Sequence, residues 1–237
     1  MKEIIKRIIK KIPIAFTQNQ RYDAQTKQII NRVCKRDSNC IDIGCHAGEV
    51  LDIIRKAAPE GKHFGFEPLP HLYNALKTKY KNTSCIISDV ALSNVTGVTT
   101  FNYVISNPAY SGLKKRKYDR AGELDTTIDV VTEKLDDVIP TETKIDFIKI
   151  DVEGGEYLVL EGAIKCLKKN KPIVIFEFGS SAWEIYKTSP AQLFNLLTGC
   201  GLKVSLMARW LKNENAFSLK EFEEECYSER NYYFIAY

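Results

Sequence analysis

Residues 40–50 read CIDIGCHAGEV. A short apolar run closes on Gly44, a second glycine follows at Gly48, and an acid, Asp42, stands just ahead of both. The pattern reads as a strand, a tight turn and the start of a helix. In an open parallel sheet such a turn lies outside the C-terminal ends of the strands, where ligands bind near a topological switch point. The dinucleotide fingerprint G-x-G-x-x-G, aligned from Gly44, puts its second glycine on His46, whose imidazole would crowd a pyrophosphate. No GK[ST] follows, which excludes a Walker phosphate loop.

Outward from this turn, strand-like runs alternate with helical patterns. Strands are expected at 39–44, 63–67 and 84–89, with helices at 48–58 and 70–80, the latter opened by a proline where a missing N–H is harmless. Two β-rich stretches, 91–106 and 126–139, flank a basic loop, and Thr132 is expected to cap a short helix ending before Pro140. IDFIKID (145–151) reads as a strand and GEYLVLEGAIKCLKK (155–169) as one helix. PIVIFEFG (172–179) is a near-continuous apolar run, as in a strand buried on both faces. A helix at 190–199, LKVSLM (202–207), a polar stretch and YYFIAY (232–237) complete the chain. The alternation predicts an α/β, Rossmann-like fold with helices on both faces of a seven-stranded, mostly parallel sheet; the one antiparallel strand is YYFIAY. No repeat or linker appears, so residues 37–237 are read as one domain after an N-terminal helical extension, 1–36.

The 237 residues are 44% hydrophobic and 27% charged, the profile of an ordinary soluble globular protein. The net charge of +4 is too small and too dispersed to imply nucleic acid. Seven cysteines, an odd number without C-x-x-C or Cys/His spacing, imply a reducing, cytoplasmic setting and no structural zinc. MKEIIKRIIKKIPIAF (1–16) has isoleucines at helical spacing with basic residues between them. Its charges break every signal-peptide core, and no run approaches the roughly 20 apolar residues of a membrane span. A helix docked on its own domain is expected; peripheral contact with an anionic membrane is the alternative.

The spacing D-x-G-x-x-x-G suits a ligand that needs a tight turn but carries no phosphates, and S-adenosylmethionine is such a ligand. Gly44 can adopt a conformation closed to other residues, and Gly48 brings the helix start close to the sheet. Asp42 can orient the turn or accept a bond from the methionine ammonium. Glu67, 23 residues beyond Gly44, ends the second strand, where a carboxylate accepts ribose hydroxyls. Asp89 ends the third, where an acid accepts the adenine amine.

DFIKIDVEGGEYLVLEGA (146–163) resembles the D-x-I-K-I-D-V-E-G-x-E signature of the FkbM-type S-adenosylmethionine-dependent methyltransferases, a branch of the class I methyltransferase fold. PIVIFE (172–177), FEPLP (66–70) and SDVALSNVTG (88–97) are similar to further family patterns, and the resemblance spans about residues 38–180. The family commonly has Asp-Ile-Gly-Ala-Asn-x-Gly in its first turn; here Cys45 and His46 replace Ala and Asn. The resemblance implies S-adenosylmethionine as cofactor, held by Asp42, Gly44, Cys45, His46, Gly48, Glu67, Pro68, Asp89, Val90 and Asp151. It implies O-methylation of a hydroxyl on a sugar, glycan or natural product.

Methyl transfer to a hydroxyl needs the acceptor positioned and a proton removed. Asp151 and Glu153 follow one strand and Glu177 ends the next, so these acids and His46 are the candidate catalytic residues. Asp151 or Glu153 capping the next helix is the structural alternative, and Lys149 is expected to pair with an acid. A divalent cation on Asp151, Glu153 and Glu177 is a further use of the same ligands, although no metal is expected. Ser111, Trp183 and Tyr186 are candidate acceptor contacts, with packing the alternative for the two aromatics. SNPAYSG (106–112) resembles the N-P-P-[YFW] motif of amino-directed methyltransferases, but Ala109 replaces the second proline, and the motif should follow the fourth strand, a place better filled by DFIKID. N-methylation of nucleic acid or protein, and a non-catalytic binding module, are therefore the alternatives to a small-molecule or glycan acceptor. Oligomeric state is not legible.

Overall fold

A computed structural model describes residues 17–118 and 122–237. The basic segment 1–16 lies outside the described residues. The first element is α1 (Gln18–Val33), closed at its start by a capping box between Thr17 and Gln20. Then come β1 (Cys40–Ile43), α2 (Glu49–Ala57), β2 (His63–Phe66), α3 (Pro70–Lys79) and β3 (Cys85–Ser88). A β-rich insertion follows: β4 (Ala91–Leu92), β5 (Gly97–Val104), a helical turn at Pro108–Tyr110, and β6 (Asp125–Glu133). The chain continues with α4 (Leu135–Val138), β7 (Phe147–Ile150), α5 (Glu156–Glu161), α6 (Ile164–Asn170), β8 (Ile173–Glu177), α7 (Ser180–Glu184) and α8 (Pro190–Gly199). It ends with β9 (Val204–Leu206), α9 (Met207–Leu211), α10 (Leu219–Tyr227) and β10 (Tyr233–Ala236).

The main sheet has seven strands in the order β3-β2-β1-β7-β8-β10-β9. All pairs are parallel except those of β10, which runs antiparallel to both β8 and β9. This is the expected sheet, with the expected antiparallel strand. A smaller sheet, β4-β6-β5, forms from the insertion. Because side chains alternate across a strand, Ile41, Ile43, Ile148, Ile150, Val174 and Phe176 fill one face of the main sheet. Cys40, Phe147, Ile175 and Ile235 fill the other, under Tyr22, Ile29 and Ile30 of α1. The same alternation carries Asp42, Lys149, Glu177 and Tyr233 onto this second face, at the strand ends that border the cleft.

Two local expectations are corrected. Thr132 caps no helix: it is a buried residue of β6, its hydroxyl donates to the Gly97 carbonyl at 3.3 Å, and α4 starts from Lys134. The helix expected over 155–169 is two, α5 and α6, divided at Gly162 and Ala163. Gly162 packs against the backbone of Ser93, where a β-carbon would meet the carbonyl oxygen at 2.1 Å. That contact holds the break. None of the described helices is long and apolar enough to cross a membrane.

Candidate active site

The turn after β1 is shaped by three residues with positive φ: Gly44 (75°), His46 (45°) and Gly48 (79°). A β-carbon on Gly44 would meet the Asp151 carbonyl oxygen, and one on Gly48 would stand 2.4 Å from the Tyr80 hydroxyl. Gly44 and Cys45 donate their N–H groups to the Phe66 carbonyl, at 3.0 and 3.1 Å. The Cys45 side chain packs with Leu51, Leu76 and Tyr80, inside the core rather than in open space.

Glu67 is buried beneath this turn. One carboxyl oxygen accepts the His46 N–H at 2.9 Å and the other the Leu69 N–H at 3.0 Å. Burial pushes its pKa up to about 7, although these two bonds oppose the shift. Asp42 is 2% exposed, and its Oδ2 has no hydrogen-bond partner among the described residues. Burial lifts its pKa to about 7; Lys149 opposes that shift and Asp151 adds to it.

Two cavities meet at the turn. The smaller, about 130 Å³, is lined by Phe66, Glu67, Pro68, Leu69, Val90, Leu92, Phe101, Ser111 and Leu113. The larger, about 1230 Å³, runs past Asp42, Lys149, Glu177, Trp183 and Tyr233 to Tyr22 and Tyr232, with Arg116, Lys117 and Tyr118 along it. Gly44, His46, Ala109, Asp151 and Glu153 line both. Asp89 is exposed and lines neither. Ser111 is buried, and its oxygen accepts the Val104 N–H at 3.0 Å. Trp183 lines the larger cavity while packing on Phe178 and Tyr227. Tyr186 lines neither; its hydroxyl accepts the Lys114 N–H at 3.1 Å and its ring packs on Gly154.

The loop after β7 carries the acids. Asp151 Oδ2 lies 3.1 Å from Lys149 Nζ and accepts a hydrogen bond from the Tyr233 hydroxyl. Desolvation would raise the Asp151 carboxyl, but Lys149, Tyr233 and Glu177 outweigh it and hold it below the usual range. Glu177 is pushed well above that range by desolvation and by Asp151, Glu153 and Glu156. Glu153 has a φ of 60° and pairs with Arg116, both side chains being largely buried. Arg116 stacks on Tyr110, with its guanidinium carbon 4.7 Å from the ring centre. Among the described residues, no group of three or more His, Cys, Asp or Glu is arranged to hold a metal ion.

Sequence reasoning did not single out Glu156. It is fully buried at the start of α5, and its Oε1 accepts the N–H groups of Val152 and Gly154 at 3.0 and 3.2 Å. It thereby sets the backbone that presents Asp151 and Glu153. Its position in the D-V-E-G-G-E run was the available signal.

The residues fit S-adenosylmethionine at one point in particular: Asp42, which lines the larger cavity, holds a buried, unmatched acceptor suited to an ammonium group. A sequence profile described as the methyltransferase FkbM domain matches residues 42–204. A search of curated protein sequences finds no match. Among solved structures, the FkbM methyltransferase from Methylobacillus flagellatus KT is similar in fold, at 13% identity and a TM-score of 0.52. The alignment covers 89% of this chain and 50% of that one, so this chain spans about half the length of that relative. A precorrin-6y C5,15-methyltransferase from Geobacter metallireducens GS-15 aligns at 14% identity and a TM-score of 0.44, over 82% of this chain and 77% of that one. Aeropyrum pernix fibrillarin, with natively bound S-adenosyl-L-methionine, aligns at 12% and 0.47, over 90% and 73%. The chain belongs to the FkbM methyltransferase domain family, and its cofactor is S-adenosylmethionine.

Proposed function

We propose that this protein transfers a methyl group from S-adenosylmethionine to a hydroxyl of a small molecule or glycan in the cytoplasm. The observation that carries the reading is the meeting of two cavities at Gly44, His46, Asp151 and Glu153. The smaller, apolar one suits the nucleoside, with Glu67 and Pro68 at the ribose and Val90 beside the base. The larger one suits the acceptor. Asp42 takes the ammonium of the cofactor, and the Gly44 turn lets the backbone approach it.

The bound cofactor supplies an electrophilic methyl group on a sulfonium, open to in-line displacement by an oxygen. The chain supplies position and proton removal. Asp151, Glu153 and Glu177 are the carboxyls along the acceptor path, and His46 lies at the junction. Trp183 lines the acceptor path. The acceptor cleft also carries Asp23, Glu49, Glu184 and Glu229, a lining that repels a phosphate backbone. The basic loop beside it is engaged within the fold: Lys115 pairs with Asp125, Arg116 with Glu153, and Lys114 lies over the Tyr186 ring. Both features favour a hydroxylated small molecule over nucleic acid.

The test is transfer of labelled methyl from S-adenosylmethionine to panels of sugars, phenols, amines and RNA. Product on a hydroxyl compound supports the reading. Product only on amines or RNA replaces it, and binding without any transfer favours the non-catalytic module.

A further inference from the structure

The larger cavity has a second end, built from α1 and from the residues that lead into β10. Asn19, Tyr22, Asp23 and Thr26 line it at positions i, i+3, i+4 and i+7 of α1, the spacing of one helix face. Asn231, Tyr232 and Tyr233 complete it. Both segments lie outside residues 42–204, the stretch that carries the cofactor turn and the acid loop.

Three rings are packed together here. Tyr22 meets Tyr232 edge-on, with ring centres 5.0 Å apart, and lies 4.9 Å from Tyr233. Tyr22 is buried, and its hydroxyl is engaged within the fold. It donates to Asn231 Oδ1 at 3.0 Å and accepts from Gln18 Nε2 at 2.6 Å and from the Tyr232 N–H at 3.3 Å. Tyr22 is therefore a support, whereas the half-buried Tyr232 carries exposed surface into the cavity. The Tyr232 hydroxyl donates to Asn19 Oδ1. An amide that accepts through its oxygen keeps the two donors of its nitrogen for another partner, and Asn19 is exposed. Asn231 is fixed as well, because its Nδ2 donates to Glu225 at 2.8 Å.

This platform stands one ring beyond the acids. The Tyr233 hydroxyl touches Asp151, and the Tyr233 ring centre lies 5.7 Å from that of Tyr232. An acceptor with its reacting hydroxyl at Asp151 and Glu153 thus has its next ring at Tyr232. The cavity leaves room for it: about 1230 Å³ exceeds the roughly 300–1,000 Å³ of sites that enclose a drug-sized ligand. The chemistry on offer is mixed. Tyr232 presents an aromatic surface to C–H groups, Asn19 supplies amide donors, and Asp23 and Glu229 line the cavity with carboxylate acceptors. A sugar ring matches both parts, since it has an apolar C–H face and a rim of hydroxyls that donate and accept. A flat aromatic ring has the face without the rim.

We propose that Asn19 and Tyr232 form a subsite for the sugar unit adjoining the one that is methylated. The acceptor is then a glycoside of at least two rings, and these two residues set its specificity without touching the reacting atoms. This rests on the methyl-transfer reading above and narrows its acceptor.

The experiment is calorimetric titration of the full chain, saturated with S-adenosylhomocysteine. The probes are methyl glycosides of common hexoses and deoxyhexoses, disaccharides built from the same units, and phenyl glycosides of the same sugars. The expected result is a disaccharide bound at least about tenfold more tightly than either of its component methyl glycosides. Tyr232→Ala should remove that advantage, and Asn19→Ala should cut it by about threefold to tenfold. Affinities for the monosaccharide and for S-adenosylhomocysteine should stay as in the wild type, whereas a merely structural role would lower all of them together. If Tyr232→Ala fails to fold, as judged by circular dichroism, Asn19→Ala decides, because Asn19 is exposed. Three results overturn the proposal and leave the methyl-transfer reading standing: disaccharides and monosaccharides bound alike, a phenyl glycoside bound as tightly as the disaccharide, or no saccharide bound by a protein that binds S-adenosylhomocysteine. Failure to bind S-adenosylhomocysteine overturns the methyl-transfer reading and this inference with it.

Discussion

The backbone of Gly44 lies so close to that of Asp151 that a β-carbon on the glycine would stand 1.9 Å from the aspartate's carbonyl oxygen. The cofactor turn and the acid loop are thus one packed unit, and Gly44 also holds a φ of 75°. Gly44→Ala should therefore lose more than the roughly 1–2 kcal/mol that a left-handed conformation alone costs a non-glycine residue. Urea unfolding will read that loss, and calorimetry should show S-adenosylhomocysteine binding abolished.

Glu67 joins two segments by accepting the N–H groups of His46 and Leu69. In Glu67→Gln an amide NH₂ would face one of those donors. A loss of about 1–3 kcal/mol in stability is expected. Weaker S-adenosylhomocysteine binding should accompany it if Glu67 also holds the ribose. Stability lost with affinity intact would leave Glu67 as scaffold only.

The ligand-free protein should become less stable as pH rises from mildly acidic to neutral. Asp42 moves from an ordinary value of 3.8, and Glu67 and Glu156 from 4.5, to about 7 through burial. Between those values the folded chain holds protons that the unfolded chain has released. Their stabilisation is complete below the unfolded values and is lost as pH passes through about 7. Thermal melts across this window should fall with pH, and Asp42→Asn should flatten the fall.

Tyr186 joins the loop at Lys114 to the turn at Gly154. Tyr186→Phe removes only the hydroxyl, so stability should drop by about 0.5–1.5 kcal/mol. Because Arg116 and Lys117 on that loop line the larger cavity, KM for the acceptor should rise while cofactor affinity stays constant. Steady-state kinetics beside S-adenosylhomocysteine titration separates the two.

The strands from β1 to β3, β7 and β8 were readable because each is a short apolar run stopped by a glycine or an acid. The parallel sheet followed from their alternation with helices. Asp42, Glu67 and Asp151 stand out in the sequence on the same signal, as polar residues near strand ends. Asp89 met that criterion too, yet it follows the edge strand and is exposed. Tyr233 was hidden because its place beside Asp151 depends on β10 entering between β8 and β9, a pairing set over a long sequence distance. Glu156 was hidden as well. A glutamate in the first turn of a helix looks ordinary, and its burial depends on the left-handed backbone at Glu153 and Gly154. The helix α10 was missed although Ser218 and Glu221 spell its capping box.

The strand order has a consequence for the chain as it is being made. β10 follows every other strand in sequence, yet it lies inside the sheet, between β8 and β9. On the ribosome β8 and β9 emerge before the strand that belongs between them. Until residues 233–236 arrive, the apolar β8 presents an open edge, the kind that recruits foreign strands. Residues 233–236 therefore do two jobs at once: they deliver the Tyr233 hydroxyl to Asp151 and close the open edge of β8.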